Sequence, residues 1–425
     1  MSEETNHAQP GQVLESFASF GERAKIWLAA NMDRVPHPRW DPLVEDDDHA
    51  THARMLQAKL WEGGFAGICY PTQYGGLGLT HDHQRAFDRE SAGYQLPFIF
   101  SMPTHCICGP TILDCGTEEQ KQRYILPMLQ GKELWVQFMS EPSGGSDMAG
   151  VLTTAVRDGD EFVINGSKVW STYAYRADYA IMLARTDWTA PKHRGLTMFI
   201  VPIHHPKTTI VQIEMIDGTK EFCQEYFDDV DIPAANVVGA VNDGWTVASR
   251  LLYHEKISVG ALSPFSSVPY KPATDLSTRE MIDLVTAQGR EDDLDVQRAI
   301  GQFETLLVVR SQLNERIGMG MRTREFPDQA GSMARIYGGI QSVARANMAF
   351  SISGFSALFW DEEQGRDVGI GYLQRQARCI GGGTIEIARN VVAERVLGMP
   401  REPAPDRDLP FSDVPRGKST PQKPQ

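Results

Sequence analysis

The sequence lacks three features that would assign its class directly. It contains no apolar run of about 18 residues or more, so no stretch is predicted to span a membrane as a helix. Its first residues, MSEETNHAQPGQ, have neither the basic nor the apolar region of a secretory signal peptide. Basic residues are in deficit, 41 Lys and Arg against 55 Asp and Glu, which gives a net charge of −14. We therefore expect a cytoplasmic protein without the basic surface that nucleic acid requires.

The sequence is also poor in cysteine, and its six cysteines are not spaced as a disulfide framework. The segment THCICGPTILDC brings a histidine and three cysteines together, but its spacing, C-x-C-x6-C, matches none of the common zinc sites. We therefore expect free, partly buried thiols and no metal site. The cysteines are Cys69, Cys106, Cys108, Cys115, Cys223 and Cys379.

The hydrophobic pattern changes period twice along the chain. Helical patterns such as GTEEQKQRYILPML, where Thr117 is the predicted N-cap, precede the alternating stretch TTAVRDGDEFVINGSKVW. That stretch contains two predicted turns, Asp158-Gly159 and Asn165-Gly166, and long helical patterns follow it. The prediction is an α+β multi-domain protein with a disordered N-terminus (1–11), an N-terminal helical domain (12–132), a middle β-barrel or sandwich domain (133–240), a C-terminal helical bundle (241–402) and a disordered tail (403–425).

Two segments of the middle region combine small residues with donors or an aromatic ring. In FMSEPSGGSDMAG, glycines allow a ligand to approach the backbone, and Ser140 and Ser146 can donate hydrogen bonds; the alternative is a surface turn. In GSKVWST, Trp170 and Thr172 are two residues apart, so strand alternation predicts that both project from one face. An indole beside a hydroxyl suits the flat isoalloxazine ring of a flavin, whereas the alternative is a tryptophan of the core.

A third segment, CIGGGTIEIARN, interrupts the C-terminal helical region with three glycines before Thr384. Glycines of this kind can open a helix and point bare N–H groups at a negative group. No charged side chain stands among them.

These segments resemble, in order and spacing, the motifs of the acyl-CoA dehydrogenase family: GTEEQKQRYILPML, SEPSGGSD, INGSKVWST and GGGTIEIARNVVAERVLGMPRE, over about residues 12–402. The resemblance implies an N-terminal helical domain, a β domain and a C-terminal four-helix bundle. It implies FAD bound between subunits, usually of a tetramer. The reaction implied belongs to fatty acid β-oxidation: the α-proton of an acyl-CoA thioester is removed, hydride leaves the β-carbon for flavin N5, and an electron-transfer flavoprotein takes the electrons.

The resemblance also implies a role for each matching residue. Trp170 would stack on the flavin, Thr172 would bind near N5, and Ser146 would lie near the cofactor or the pantetheine arm of CoA. The cofactor contacts implied in this way are Met139, Ser140, Ser146, Trp170, Thr172, Thr384 and Glu386.

The catalytic base is the point at which the sequence departs from many family members, which have a glutamate where this chain has Gly382. Glycine cannot accept a proton, but its N–H can donate to the thioester carbonyl. The sequence resembles an actinobacterial-type branch whose base lies in a Glu-Arg pair on the first C-terminal helix; here the pair is Glu255 and Lys256, and Lys256 would be a further substrate contact. Helical spacing supports Glu255 as the base, because it places the carboxylate on an apolar stripe that would desolvate it and raise its pKa. The alternative is that Glu255 lies at the edge of this stripe and pairs with a neighbouring cation. The stripe is Leu251, Leu252, Val259 and Leu262.

A second departure concerns the pyrophosphate of FAD. Family members usually have an Arg-x-Phe-Gly type segment where this chain reads TAQGREDDLDVQRA, so Arg290 is the stand-in, with Asp292 and Asp293 adding unfavourable charge. Three alternatives stay open: an acyl-CoA dehydrogenase that forms a homo-oligomer (dimer or tetramer), a noncatalytic or half-site subunit of a heterotetramer with a related chain, and a flavin oxidase or monooxygenase of the same fold.

Overall fold

The structure is a computed structural model that describes residues 14–36, 48–259, 263–265, 276–359 and 363–415. The predicted disordered N-terminus, 1–11, lies outside the described residues. None of the described helices is both long enough and apolar enough to cross a membrane.

Helices form the N-terminal part of the chain. The predicted N-cap is confirmed: Thr117 Oγ1 accepts from the Gln120 N–H at 3.2 Å, while the Gln120 side chain accepts from the Thr117 N–H at 3.1 Å. This reciprocal pair satisfies two N–H groups that have no partner inside the helix. The helices are α1 (Phe17–Asn31), α2 (His49–Glu62), α3 (His81–Ser91), a π-helix (Phe100–Cys108), α4 (Gly109–Cys115) and α5 (Glu118–Leu129).

The middle domain is a mixed sheet. Its strands are β1 (Trp135–Phe138), β2 (Thr154–Asp158), β3 (Glu161–Thr172), β4 (Tyr179–Arg185), β5 (Leu196–Pro202), β6 (Thr208–Ile213), β7 (Phe222–Pro233) and β8 (Val237–Val238). They run in the order β6-β7-β3-β2-β4-β5-β8, and β1 pairs in parallel with β4. Alternate residues of β4 enter different cores: Met182 packs against β3 and β7 residues, whereas Ile181 and Leu183 pack with residues of α4 and α5. The centre of the sheet is therefore covered on both faces.

One of the two predicted turns is confirmed and the other is wrong. Asp158-Gly159 lies in the hairpin between β2 and β3, whereas Asn165-Gly166 lies inside β3 at an irregularity of its pairing with β7. The Asn165 amide group bonds to Asp229 twice, at 2.9 Å each, and so keeps the chain in the sheet. The Asn-Gly pair, which the sequence pattern assigned to a turn, therefore forms a β-bulge within the strand.

Helices again form the C-terminal part, which confirms the predicted fold class. They are α6 (Gly244–Val259), α7 (Thr278–Ala287), α8 (Leu294–Arg322), α9 (Gly331–Ser353), α10 (Glu363–Gln374) and α11 (Ile385–Val391). Helix α9 packs against α8, α10 and α11, while α6 packs on the π-helix, α4 and β5. Helix α6 thereby faces both the N-terminal helices and the sheet.

The predicted disordered tail from Pro403 is corrected for residues 403–415. Phe411 is 1% exposed, and its N–H donates to the Ala190 carbonyl at 2.9 Å; Val414 is also buried. A Pro-rich, charged composition predicted disorder, but two apolar side chains are enough to hold a short segment on the sheet domain.

Candidate active site

A buried ion pair joins the two motifs of the middle domain. Lys168 Nζ lies 2.8 Å from Glu141 Oε1, and the two side chains are 0% and 3% exposed. Lys168 also donates to the Met139 carbonyl at 3.2 Å, and the Val169 N–H donates to the Ser140 carbonyl at 3.0 Å. The segment SEPSGGSD is thus fixed against β3, next to Trp170. Sequence reasoning missed both charged residues, although Lys168 is the sole charged residue of INGSKVWST and Glu141 shares SEPSGGSD with Asp147 alone, which was a usable signal.

The Glu141 carboxylate also closes the loop that follows it. It accepts from the N–H groups of Leu152 at 2.6 Å and Thr153 at 3.0 Å. Burial alone would raise the pKa of Glu141, but the Lys168 ammonium and these donors outweigh burial and hold the pKa below its ordinary value. Glu141 is therefore ionised, and it anchors the loop at both ends.

A second carboxyl group lies opposite Lys168 in the neighbouring strand. Glu225 of β7 pairs with Lys168 in the register, so both side chains project from the same face. Burial raises the pKa of Glu225 to about 8, although the hydrogen bond that the Ser171 hydroxyl donates at 3.0 Å lowers this pKa in part. Among the described residues, Glu225 Oε1 has no hydrogen-bond partner. The cluster therefore contains one cation, one anion and one carboxyl group that is mostly protonated near pH 7.

Trp170 stands at a β-bulge. Its flanking residues Val169 and Ser171 pair with consecutive residues of β7, and Trp170 itself has a φ of +68°. The bulge interrupts the alternation from which we predicted that Trp170 and Thr172 share a face. The Trp170 ring lies 5.8 Å from the ring of Phe222, and Phe222 is directly opposite Thr172 in the neighbouring strand. The indole is 53% exposed, so a flat surface faces outward beside a half-buried hydroxyl.

Glu255 is half-buried on α6, one turn after the fully buried Leu251. Gln137 of β1 donates to Glu255 Oε2 at 3.3 Å. Burial raises the pKa of Glu255, and the Gln137 bond and the charges of Lys256 and Arg335 oppose this rise without cancelling it. The side chains of Val259 and Leu262, the far part of the predicted stripe, lie outside the described residues. Lys256 itself is exposed.

The glycine segment opens a helix, as predicted. Thr384 is the N-cap of α11, and its hydroxyl accepts from the Ile387 N–H at 3.1 Å. Gly382 and Gly383 have φ values of +71° and +89°, a backbone region that side chains disfavour.

Arg335 of α9 holds the backbone of the glycine segment. Its guanidinium donates to the carbonyls of Arg378 and Gly381, at 2.6 Å each, and of Gly383 at 3.0 Å. The same positive charge acts on Glu255. Within the part of the chain that the structure describes, the N–H groups of Gly382 and Gly383 are unbonded. Sequence reasoning missed Arg335; the signal was an arginine among small and apolar residues in SMARIYGG.

Of the remaining predicted residues, Arg290 lies apart from this group. Arg290 donates to the Ile352 carbonyl and to Asp293, at 2.8 Å each, and Ile352 is about 25 Å along α9 from Arg335. The Met139 side chain is buried in the core rather than facing outward. Ser146 and Glu386 are exposed, and Glu386 pairs with Arg389 at 3.5 Å.

The groups near Trp170 fit a flat aromatic cofactor. The exposed indole offers a stacking surface, and the half-buried hydroxyls of Ser140 and Thr172 can donate to ring oxygen or nitrogen atoms. All six cysteines are free, and the described residues contain no group of three His, Cys, Asp or Glu side chains that could hold a metal ion.

Comparison with known proteins assigns the family. Models of the acyl-CoA dehydrogenase N-terminal, middle and C-terminal domains match residues 30–132, 137–230 and 242–397. The acyl-CoA dehydrogenase IpdE1 of Mycobacterium tuberculosis is 33% identical over 357 residues, which are 82% of this chain and 88% of IpdE1. The chain belongs to the acyl-CoA dehydrogenase family, whose members are FAD-dependent oxidoreductases that act on CH–CH groups. The family prediction is confirmed.

Two solved structures with this fold carry the names of two components each. The Tcur3481-Tcur3483 steroid ACAD has a TM-score of 0.74 at 27% identity, covering 92% of this chain and 100% of that chain. The ChsE4-ChsE5 complex of Mycobacterium tuberculosis has a TM-score of 0.70 at 24% identity, covering 93% and 100%.

We predict that Lys168→Met destabilises the fold by about 3–5 kcal/mol, because it leaves the Glu141 carboxylate buried without its cation. The free energy of unfolding, measured in urea by circular dichroism, tests this. Lys207→Met is the matched control, since Lys207 forms an exposed ion pair with Asp231 and its loss should change little. Equal losses in the two variants would contradict the structural role of Lys168.

We predict that Glu225 makes stability depend on pH. The folded-state pKa of about 8 exceeds the ordinary 4.5, so the folded protein binds the extra proton. Its contribution is complete below about pH 4.5 and is lost towards pH 8, by at most about 1.4 kcal/mol per pH unit. Glu225→Gln should remove this slope in unfolding measurements across that range, whereas Glu214→Gln, at an exposed position, should preserve it. Parallel curves for the parent and Glu225→Gln would show that Glu225 ionises normally.

Proposed function

We propose that this chain catalyses α,β-dehydrogenation of an acyl-CoA thioester, with Glu255 as the base that removes the α-proton. The observation that supports this most directly is the arrangement around Arg335. One guanidinium holds the glycine segment by its carbonyls and acts electrostatically on Glu255. The positive charge that acts on the Glu255 carboxylate therefore belongs to the side chain that also positions the glycine segment with its unbonded N–H groups.

Each of these residues has a separate task in the proposed reaction. Gln137 orients the Glu255 carboxylate by donating to Oε2, and burial makes Glu255 a stronger base than an exposed glutamate. The N–H groups of Gly382 and Gly383 would donate to the thioester carbonyl, where negative charge develops as the proton leaves. Lys256 would contribute positive charge near CoA, without the planar fork of an arginine.

FAD, when bound, would accept the hydride from the β-carbon. Trp170, Thr172 and Ser140 would hold its ring, and Thr384 and Glu386 would approach it from the start of α11. Ser146 would bind the pantetheine arm of CoA. The electrons would pass to an electron-transfer flavoprotein. The name of the steroid ACAD, which is 27% identical, supports a bulky acyl group as the first substrate class to examine.

A second candidate is a half-site subunit that completes the flavin site of a related chain. The observation that favours it is Arg290, whose guanidinium binds its own chain at Ile352 and Asp293. An arginine held in this way is less available to the pyrophosphate of FAD. The two-component names of the structural neighbours agree with this candidate.

We predict that Glu255→Gln slows reduction of the flavin by acyl-CoA about 10²–10⁴-fold, the usual effect of losing a general base. The substitution is nearly isosteric, so flavin content and substrate affinity should change far less than the rate. Stopped-flow bleaching of the flavin absorbance measures the rate. Glu214→Gln, at an exposed glutamate paired with Lys220, is the control. Bleaching at the parent rate would exclude Glu255 as the base.

We predict that the chain purified alone is yellow and contains about one noncovalent FAD per protomer, because Trp170, Thr172 and Ser140 offer one ring site. Release of the flavin by heat, followed by chromatography and absorbance, measures identity and amount. A colourless chain that gains FAD only with a second polypeptide would support the half-site candidate instead.

A further inference from the structure

A short segment near the C-terminus, residues 409–414, crosses from the helical domain onto the sheet domain; we call it the C-terminal strap. Pro410 forms an isolated β-bridge with Pro191. The N–H of Phe411 donates to the Ala190 carbonyl, and the N–H of Ser412 donates to the Trp188 carbonyl, both at 2.9 Å. The strap therefore continues the hydrogen bonding of the loop between β4 and β5.

The ring of Phe411 covers a buried arginine. The guanidinium carbon of Arg185 lies 3.5 Å from the ring centroid, and the ring lies 5.5 Å from that of Trp188. Phe411 and Arg185 are each 1% exposed. A guanidinium that stacks on an aromatic face and is closed off from solvent is held firmly, because neither partner has an alternative contact with bulk water.

The other edge of the same guanidinium holds the end of the SEPSGGSDMAG loop. Arg185 Nη2 donates to the Ala149 carbonyl at 2.6 Å, and Nε donates to the Val151 carbonyl at 3.2 Å. Its third contact, from Nη1, is the Lys192 carbonyl at 3.2 Å, and Lys192 Nζ lies 2.5 Å from Asp147. The end of the loop is thus held by Arg185 and also by the Glu141 carboxylate, which accepts from the Leu152 N–H.

We propose that Phe411 is a positioning residue for this loop. By covering Arg185, it keeps the guanidinium on the Ala149 and Val151 carbonyls, and these fix the backbone that presents Ser146. The inference deepens the proposed function and rests on it in one respect, that the loop binds acyl-CoA. The C-terminal strap is then part of the substrate-binding apparatus, although it lies beyond the helical domain.

Two substitutions distinguish the effect of the aromatic face of Phe411 from the effect of its apolar volume. Phe411→Leu keeps an apolar side chain under the strap but removes the aromatic face, whereas Phe411→Tyr keeps the face. Phe17→Leu is the matched control, because Phe17 is 55% exposed at the start of α1. Each full-length protein is measured by hydrogen exchange of the amides of residues 145–151 and by steady-state kinetics with acyl-CoA.

In Phe411→Leu, we expect exchange in the loop to be about tenfold faster while the amides of β4 and α5 are unchanged. We also expect KM for acyl-CoA to rise about tenfold with kcat nearly constant, because the loop contributes binding rather than chemistry. Phe411→Tyr should keep both the loop exchange rate and KM close to those of the parent protein, and Phe17→Leu should change neither.

Unchanged loop exchange in Phe411→Leu would overturn the proposal, and so would faster exchange throughout the molecule or a failure of Phe411→Tyr to restore the parent behaviour. Faster loop exchange with an unchanged KM would overturn the part that concerns acyl-CoA. If exchange responds as expected but even the parent protein does not oxidise acyl-CoA, the positioning role stands and the proposed function fails.

Discussion

The middle of the molecule depends on the ion pair between Lys168 and Glu141. Removing an ammonium and a carboxylate from water costs several kcal/mol for each ion, and only close geometry and additional hydrogen bonds offset that cost. The Met139 carbonyl and two N–H groups supply those bonds. The pair therefore restricts the SEPSGGSD segment to one arrangement against β3. That arrangement also fixes the position of the exposed Trp170.

Cations that bind backbone carbonyls recur at three places around the candidate site, and two of the three, Lys168 and Arg185, are buried. Lys168 holds Met139, Arg185 holds Ala149 and Val151, and Arg335 holds three carbonyls of the glycine segment. A carbonyl has no net charge, so these contacts fix the loops without adding an anion, although Lys168 pairs in addition with Glu141. In a chain with a net charge of −14, these cations are used for internal order rather than to make a basic surface.

Sequence patterns predicted the domain order, the Thr117 cap and the helix opened by Thr384, because each depends on neighbouring residues. They failed where contacts are distant in the chain. Asn165-Gly166 was predicted to be a turn, but the bond between Asn165 and Asp229 keeps it in the sheet as a bulge. Phe411 was predicted to lie in a disordered tail, but its ring stacks on Arg185. Arg335 and Lys168 were missed for the same reason, since an isolated cation in a sequence does not show which carbonyls it will meet.

The left-handed backbone at Gly382 disfavours a glutamate at this position. A glutamate at that position would occupy a φ of +71°, which costs an L-residue about 1–2 kcal/mol. A carboxylate at the position where many family members have it would therefore either bear this strain or favour a different backbone in the segment Gly381–Gly383, which Arg335 holds at both ends. If Glu255 is the base, as proposed, the two placements are separated by a backbone strain as well as a substitution, so a lineage that adopts one placement is expected to keep it.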